Sequence, residues 1–286
     1  MGTCMNCMCP RAGDGSAGNV EHANQVPKDL GIPLSFSKSG VTTERRPAFT
    51  FQNGATYAGE WVGDLRYGYG IQIWPDNAKY EGEWYEDKAH GKGKFDHADG
   101  DVYEGEWYCD KAHGHGTYVH ADGSKYEGQW ESDRQSGEGS EEWADGAKYV
   151  GRYIDGKKHG HGKFSWGDGS RYDGQFVDND IHGTGVYVWS DGRRYQGQWA
   201  RNRMDGRGEF SGLDGRVYEG QHKNDMKHGH GTFKWPDGRQ YDGQWKDGKQ
   251  HGTGEIISKA GEKRVGEWED GKQMRWLDIE SNPTME

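Results

Sequence analysis

The sequence predicts an all-β chain, an elongated single-layer antiparallel array of 23-residue β-hairpin repeats. Three observations carry that expectation. A tyrosine recurs every 23 residues without an insertion, from Tyr57 through Tyr80, Tyr103, Tyr126, Tyr149, Tyr172, Tyr195 and Tyr218 to Tyr241, with Arg264 in the next place. A glycine stands two residues after each of them, from Gly59 to Gly266, and two more glycine columns run from Gly68 and Gly70 to Gly252 and Gly254. Within each unit, large rings and glycines alternate with charged residues at the strand period of two.

Each unit reads as two strands. In Tyr80-Glu81-Gly82-Glu83-Trp84, residues 80, 82 and 84 share one face, and Glu81 and Glu83 take the other. Gly91, Gly93 and Phe95 continue the ring-and-glycine face, with Lys92 and Lys94 opposite. Glycine beneath a flat aromatic ring is a known way to stabilise glycine in a sheet, which accounts for strands that would otherwise be weak. The units close on Asp-Gly pairs such as Asp99-Gly100, a tight-hairpin signal. The other connection, Tyr85 to His90, reads as a longer turn with Asp, Asn or Gly at its middle.

Composition supports an array over an ordinary globule. Only 31% of residues are hydrophobic and 49 of 286 are glycine, which taken alone suggests disorder. The 13 Trp, 16 Tyr and 8 Phe oppose that reading, since each ring brings enough apolar area to build a narrow core. The net charge of −11 disfavours nucleic acid as a partner, because phosphate binding needs clustered Lys and Arg. Four cysteines, three of them at the N-terminus, form no disulfide framework and fit a reducing compartment. No stretch has the length of an apolar membrane span, and there is no apolar core for a secretory signal.

The expected organisation has three parts: a disordered tail over 1–46, the array over 47–271, and a cap or tail over 272–286. Phe49 and Phe51, followed by Asn53-Gly54, match the second strand and turn of a unit whose first strand is missing. At the other end Met274, Trp276, Leu277 and Ile279 are placed to cover an edge that would otherwise invite pairing.

These columns resemble the MORN-repeat family, whose units read approximately Tyr-x-Gly-x-Trp-x-x-Gly-x-x-His-Gly-x-Gly; Tyr103 to Gly116 and Tyr241 to Gly254 carry nearly all of it. The departures are His222 for Trp, Arg264 for Tyr, and unit 126–148, with Ser136 for His and Glu141 for an aromatic. The resemblance implies a grooved β-structure and a non-enzymatic scaffold or adaptor that binds protein partners. It leaves open two other roles: a structural subunit of a ciliary assembly resembling a radial-spoke head, or of another cytoskeletal assembly, and a regulatory subunit of a lipid kinase. No second domain supplies a catalytic unit.

The chain begins Met-Gly-Thr-Cys-Met-Asn-Cys-Met-Cys. Gly2 is placed for myristoylation, although Asn6 stands where the motif has Ser or Thr. One acyl chain anchors only marginally, and Cys4, Cys7 and Cys9 offer sites for palmitate as the second. The expectation is a cytoplasmic protein tethered to the cytoplasmic face of a membrane, with cilium or cytoskeleton as the alternative location.

No cofactor, metal or catalytic residue is expected. His90, His113, His159, His182, His228 and His251 form a column one repeat apart, about 9.6 Å, too far to share an ion. Repeated carboxylates such as Glu81, Glu83, Glu104 and Glu106 read as cross-strand charge pairs. Trp61, Trp84, Trp107, Trp130, Phe176, Trp199 and Trp245 form a candidate partner-binding face, suited to an extended peptide or a helix. An exposed array face would also pair two copies into a homodimer.

Overall fold

The computed structural model describes residues 41–277. The acylation sites expected at Gly2, Cys4, Cys7 and Cys9, and the contribution of Ile279 to a C-terminal cap, lie outside the described residues. Within them the chain forms 22 strands and no helix. Two short strands, β1 (Glu44–Arg45) and β2 (Phe49–Thr50), pair one after the other along β3 (Thr56–Val62). From β3 onward every strand pairs antiparallel with the next, as far as β22 (Lys272–Trp276). The result is one open antiparallel sheet, as the alternation predicts. Strand structure extends past the expected array on both sides, to Glu44 and to Trp276.

The hairpin of β5 (Lys79–Tyr85) and β6 (Lys88–Asp96) shows the local logic. Its tight turn is Glu86-Asp87, with φ of 48° and 68°. Two central residues at positive φ match the right-handed twist of the strands they join. The tight turn is thus not the Asp-Gly pair that composition suggests. There only Gly100 has positive φ (97°), and His97 N donates to Asp101 O at 2.8 Å, a wider connection. The Asp carboxylate serves the turn differently: Asp122 Oδ1 accepts from Ser124 N at 2.8 Å. The Asp/Asn/Gly column sits in the tight turn because it must tolerate positive φ. It also stitches units together, since Asp110 Oδ1 accepts from Ala89 N at 2.7 Å and Asp133 Oδ1 from Ala112 N at 2.7 Å.

A bulge interrupts each hairpin. Gly82 faces Gly93 while Trp84 faces Ala89, so Glu83 stands opposite a bulge centred on Gly91. In most units the Glu or Gln three residues after the tyrosine turns back onto that bulge. Gln129 Oε1 accepts from Glu138 N at 2.8 Å, and Gln175 Oε1 from Thr184 N at 2.8 Å. This residue is therefore a cap for the bulge rather than only a member of a surface charge pair.

The core is one face of the sheet. Each column tyrosine lies flat across two paired glycines and donates its hydroxyl to the backbone carbonyl three residues on. The Tyr195 hydroxyl reaches Gln198 O at 3.0 Å, and the same bond recurs in all nine units. Each ring meets two neighbours edge-on: Tyr80 has Trp84 at 5.0 Å and Trp107 at 5.2 Å. Such pairs contribute about 0.5–1.5 kcal/mol each beyond the area they bury. Five of the inner Trp Nε1 groups, those of Trp84, Trp107, Trp130, Trp199 and Trp245, donate to a carbonyl of the preceding unit, as Trp107 does to Gly93 O at 3.0 Å and Trp245 to Gly231 O at 2.9 Å. Trp61 Nε1, at the start of the array, is buried without a partner among the described residues. One ladder of rings thereby joins each unit only to its neighbours, as in other repeat arrays.

At the ends, Phe49 packs edge-on against Trp61 at 5.9 Å, in the place of a preceding unit. Trp276 meets Trp268 at 6.1 Å, and Arg264 lies 4.1 Å over its ring. Arg264 thus answers its own departure from tyrosine by stacking on the terminal strand.

Candidate aromatic binding face

The rings singled out from the sequence form the inner ladder. Trp61, Trp84, Trp107, Phe176, Trp199 and Trp245 are between 3% and 8% exposed, and Trp130 is half-buried. Their faces are taken by the tyrosines and by Phe95, Tyr118, Tyr187 and Phe233. What they leave for a partner is small, because each tyrosine lies so flat on its glycines that the tryptophans on either side close over it.

A second ladder, unremarked in the sequence, runs outside the first on the same face. Counting each tyrosine as position 0, it is built from positions 15 and 17. Trp143 stacks on Phe164 at 5.3 Å, and Phe164 meets Trp166 at 4.5 Å. Trp166 then meets Tyr187 at 5.0 Å, Tyr187 meets Trp189 at 4.7 Å, and Trp189 meets Phe210 at 5.6 Å. Trp143, Trp166 and Trp189 are half-buried, so each keeps part of its ring open to solvent. The signal was present: five of the 13 tryptophans (Trp74, Trp143, Trp166, Trp189 and Trp235) fall in phase at position 17. Arg193 and Arg239 lie over Trp189 and Trp235 at 5.4 and 5.3 Å, each also paired with its turn aspartate. Rings with cations over them suit acidic or apolar side chains of another protein.

Three cations occupy position 9, and alternation turns them onto the aromatic face. Arg66 lies 4.2 Å over Trp84, donates from Nε to Asp87 Oδ1 at 2.9 Å, and also reaches Gln72 Oε1. Lys158 is buried, with Nζ 4.7 Å from the Trp143 ring and 5.2 Å from Tyr149. Its charge is met by Glu141 Oε2 at 3.0 Å, which also accepts from the Tyr153 hydroxyl at 2.9 Å. The Glu141 departure therefore has a physical answer: carboxylate, ammonium and phenol replace the usual ring contact. Burial, then the charge of Glu141, drives the Tyr153 pKa far above the phenol range. Lys227 has its Nζ 4.5 Å from Phe233 and 5.0 Å from Trp245, and burial lowers its pKa.

His222 stands in the inner ladder where other units have Trp, edge-on to Tyr195 and Tyr218 at 5.0 Å each. Burial first, and Lys227 in part, lowers its pKa from 6.5 to about 4. The imidazole is neutral in the fold and takes a proton more readily unfolded. Its contribution is intact above pH 6.5 and lost as the pH falls toward 4, by up to about 3 kcal/mol. His222→Phe, with Phe176 as the precedent in this column, is expected to remove that loss. Urea unfolding of both proteins at pH 7.5 and pH 4.5 checks it, and an equal acid loss in the variant would show that His222 is not its source.

Of the column histidines, the first two pack against tyrosines at the hairpin ends. His90 lies 5.8 Å from Tyr85 and 5.3 Å from Tyr108, and His113 lies 5.7 Å from Tyr108. Among the described residues no three His, Cys, Asp or Glu gather as metal ligands. The opposite face carries two shallow grooves floored by the paired glycines, of about 910 and 1020 Å³. Acids and bases pair along them, for example Lys163 with Asp173 at 3.3 Å and His161 with Asp173 at 3.1 Å.

Hairpins in one antiparallel layer, each in contact only with its neighbours, define a single-layer β-repeat protein. The chain belongs to the MORN-repeat family, and the MORN repeat matches residues 57–79, 80–102, 103–125, 126–148, 149–171, 172–193, 195–215, 218–238 and 241–262. No curated protein sequence matches it. Among solved structures, the TCP10 domain of Danio rerio CPAP in complex with a STIL peptide is similar at 13% identity, over 83% of this chain and 100% of that one, with a TM-score of 0.32. The TCP domain of Drosophila melanogaster SAS-4, bound to a proline-rich motif of Ana2, gives 12%, 75%, 100% and 0.31. Virginiamycin B lyase from Staphylococcus aureus gives 8%, 77%, 83% and 0.15.

Proposed function

We propose that this protein is a non-catalytic scaffold that binds a protein partner along its outer aromatic ladder and is held on the cytoplasmic face of a membrane by N-terminal acylation. The observation that carries the first half is the continuous run of rings from Trp143 to Phe210, in which Trp143, Phe164, Trp166, Trp189 and Phe210 are half-buried around the buried Tyr187. Rings supported from behind and open in front make an extended apolar contact surface at low entropic cost, which suits a peptide or helix better than a small molecule. The inner tryptophans act as the support. Trp166→Ser with Trp189→Ser is expected to abolish recovery of the partner that proximity labelling finds around the native chain, with circular dichroism unchanged. An unchanged set of labelled neighbours would refute the ladder as the contact surface.

The second half rests on Gly2 and on Cys4, Cys7 and Cys9. A myristoylated Gly2 with one palmitate gives stable membrane residence, where either chain alone gives little. Gly2→Ala is expected to move the protein from the membrane pool to the soluble fraction. Continued membrane residence of that variant, or a bare N-terminal peptide by mass spectrometry of native protein, would remove acylation as the tether.

A further inference from the structure

The three cations at position 9 differ in one respect. Arg66 has Asp87 and Gln72, and Lys158 has Glu141. Lys227 has rings only: Phe233 at 4.5 Å, Trp245 at 5.0 Å and Tyr218 at 5.5 Å. At the position Glu141 holds beside Lys158, the unit before Lys227 has Phe210. Arg216 adds repulsion there, and burial already disfavours the ammonium. A half-buried ammonium among rings without an anion is costly unless something completes it.

The surface beside Lys227 is also where the outer ladder breaks. Trp189 meets Phe210, but position 17 of that unit is Gly212, and no ring bridges Phe210 to Phe233. The packed apolar side chains accordingly divide here into one cluster ending at Phe210 and another beginning at Tyr218, with only the His222 ring between them. His222, smaller than the tryptophan of other units, lies in the floor of the same unit boundary, directly opposite Lys227 in register. Beyond the gap, Leu213 is 64% exposed at the turn and Trp235 is half-buried. A missing ring, a short ring and an unneutralised cation thus coincide at one boundary, with apolar side chains on both flanks.

We propose that this notch binds an acidic side chain of a protein partner, an Asp or Glu set in an apolar stretch, whose carboxylate completes Lys227 as Glu141 completes Lys158. The inference rests on the scaffold reading and adds the chemistry of the partner. Charge complementarity selects the occupant: the chain carries a net −11, so acidic peptides are repelled in general and retained only where a cation lacks a partner. The neighbouring rings exclude water from the ion pair, which strengthens it, and Leu213 and Trp235 hold the apolar residues on either side.

The test uses the full chain as bait for a displayed library of random dodecapeptides, with selected peptides measured by fluorescence anisotropy. Recovered sequences are expected to carry Asp or Glu beside aromatic or aliphatic residues. Affinity is expected to fall at least tenfold against Lys227→Met, and equally when the acid of the peptide becomes Asn or Gln. Met204 occupies position 9 in the preceding unit, so methionine has a precedent there and the variant folds. Lys163→Met, on the opposite face, is expected to bind as the native chain does. Peptides without an acidic preference, or ones that Lys227→Met binds unchanged, would overturn this assignment and leave the scaffold reading standing. Recovery of no binding peptide would count against both.

Discussion

Gly208→Ala is expected to destabilise its unit by roughly 4 kcal/mol, against the sign that backbone entropy alone predicts. Gly208 lies in β16 (Arg203–Ser211), paired with Gly197 of β15 (Arg194–Ala200), and its φ is not positive. In such a strand, alanine would ordinarily be favoured by about 0.5–1 kcal/mol. A Cβ here would stand 2.4 Å from the Tyr195 hydroxyl and 2.5 Å from its ring. The ring is pinned by its bond to Gln198 O and by Trp199 and His222 edge-on at 5.1 and 5.0 Å. Moving it gives up a hydrogen bond worth about 1 kcal/mol, two ring contacts of about 1 kcal/mol each, and adds overpacking of about 1–3 kcal/mol. Hydrogen exchange of the β15 and β16 amides measures the local cost. In a Tyr195→Ala background, where the ring is gone, the same substitution is expected to cost nearly nothing. Gly123 is the contrast: a Cβ there meets nothing within 4 Å, but φ is +88°, so alanine costs only about 1 kcal/mol through the backbone. Equal costs at Gly208 and Gly123 would mean that the rings do not hold the array.

Glu141→Leu is expected to cost about 3–5 kcal/mol, since it strands the buried ammonium of Lys158, and Lys158→Met less, since Glu141 is only partly buried and keeps the Tyr153 hydroxyl. The partners are close, at 3.0 Å, and the Lys158 side chain is 5% exposed. Replacing the pair together has the opposite outcome. Glu141→Phe with Lys158→Ala and Tyr153→Trp rebuilds the set that Phe95, Ala112 and Trp107 form two units earlier. That triple variant is expected to match or exceed the native stability, because a well-packed apolar set commonly equals a buried ion pair. Urea unfolding of the three proteins decides the matter. If the triple variant were as unstable as the single ones, the unit would depend on its charges for more than filling space.

Most of the fold was legible because the columns are physical requirements. A tyrosine that bonds back to the third carbonyl needs glycine beneath it twice, at Gly59 and Gly70 for Tyr57. Tyr57, Gly59 and Gly70 therefore recur as a set in each unit. The turns were harder. Glu86-Asp87 and Asp99-Gly100 both suit positive φ by composition, and only the backbone shows that the first is the two-residue turn. Glu83 was correctly placed opposite the rings, but spacing does not distinguish a charge pair from a cap on the bulge at Gly91. The candidate face was legible as a column of rings, but their burial was not. Trp84 and Trp107 were conspicuous by spacing, yet burial by a neighbouring ring is a property of register between units, and Trp166 and Trp189 escaped notice for the same reason. The Glu141–Lys158 pair joins residues 17 apart through that same register, so the departure at Glu141 is visible in the column but its answer is not.

The central claim is that nine tyrosines lie sealed against glycine and hold the sheet together. Spectrophotometric titration at alkaline pH, followed as phenolate absorbance together with circular dichroism, tests it most directly. Burial pushes the Tyr241 pKa up to about 12 and carries Tyr57, Tyr80, Tyr103, Tyr126, Tyr149, Tyr172, Tyr195 and Tyr218 higher still. Unfolded, the same phenols ionise near 10, so the stability they lend is whole below pH 10 and declines as the pH rises above it. The predicted result is that no more than five of the 16 tyrosines ionise while the sheet persists, and that the nine of the column, with Tyr118 and Tyr153, ionise together with its loss. Ionisation of all 16 near pH 10 with the sheet intact would contradict the claim.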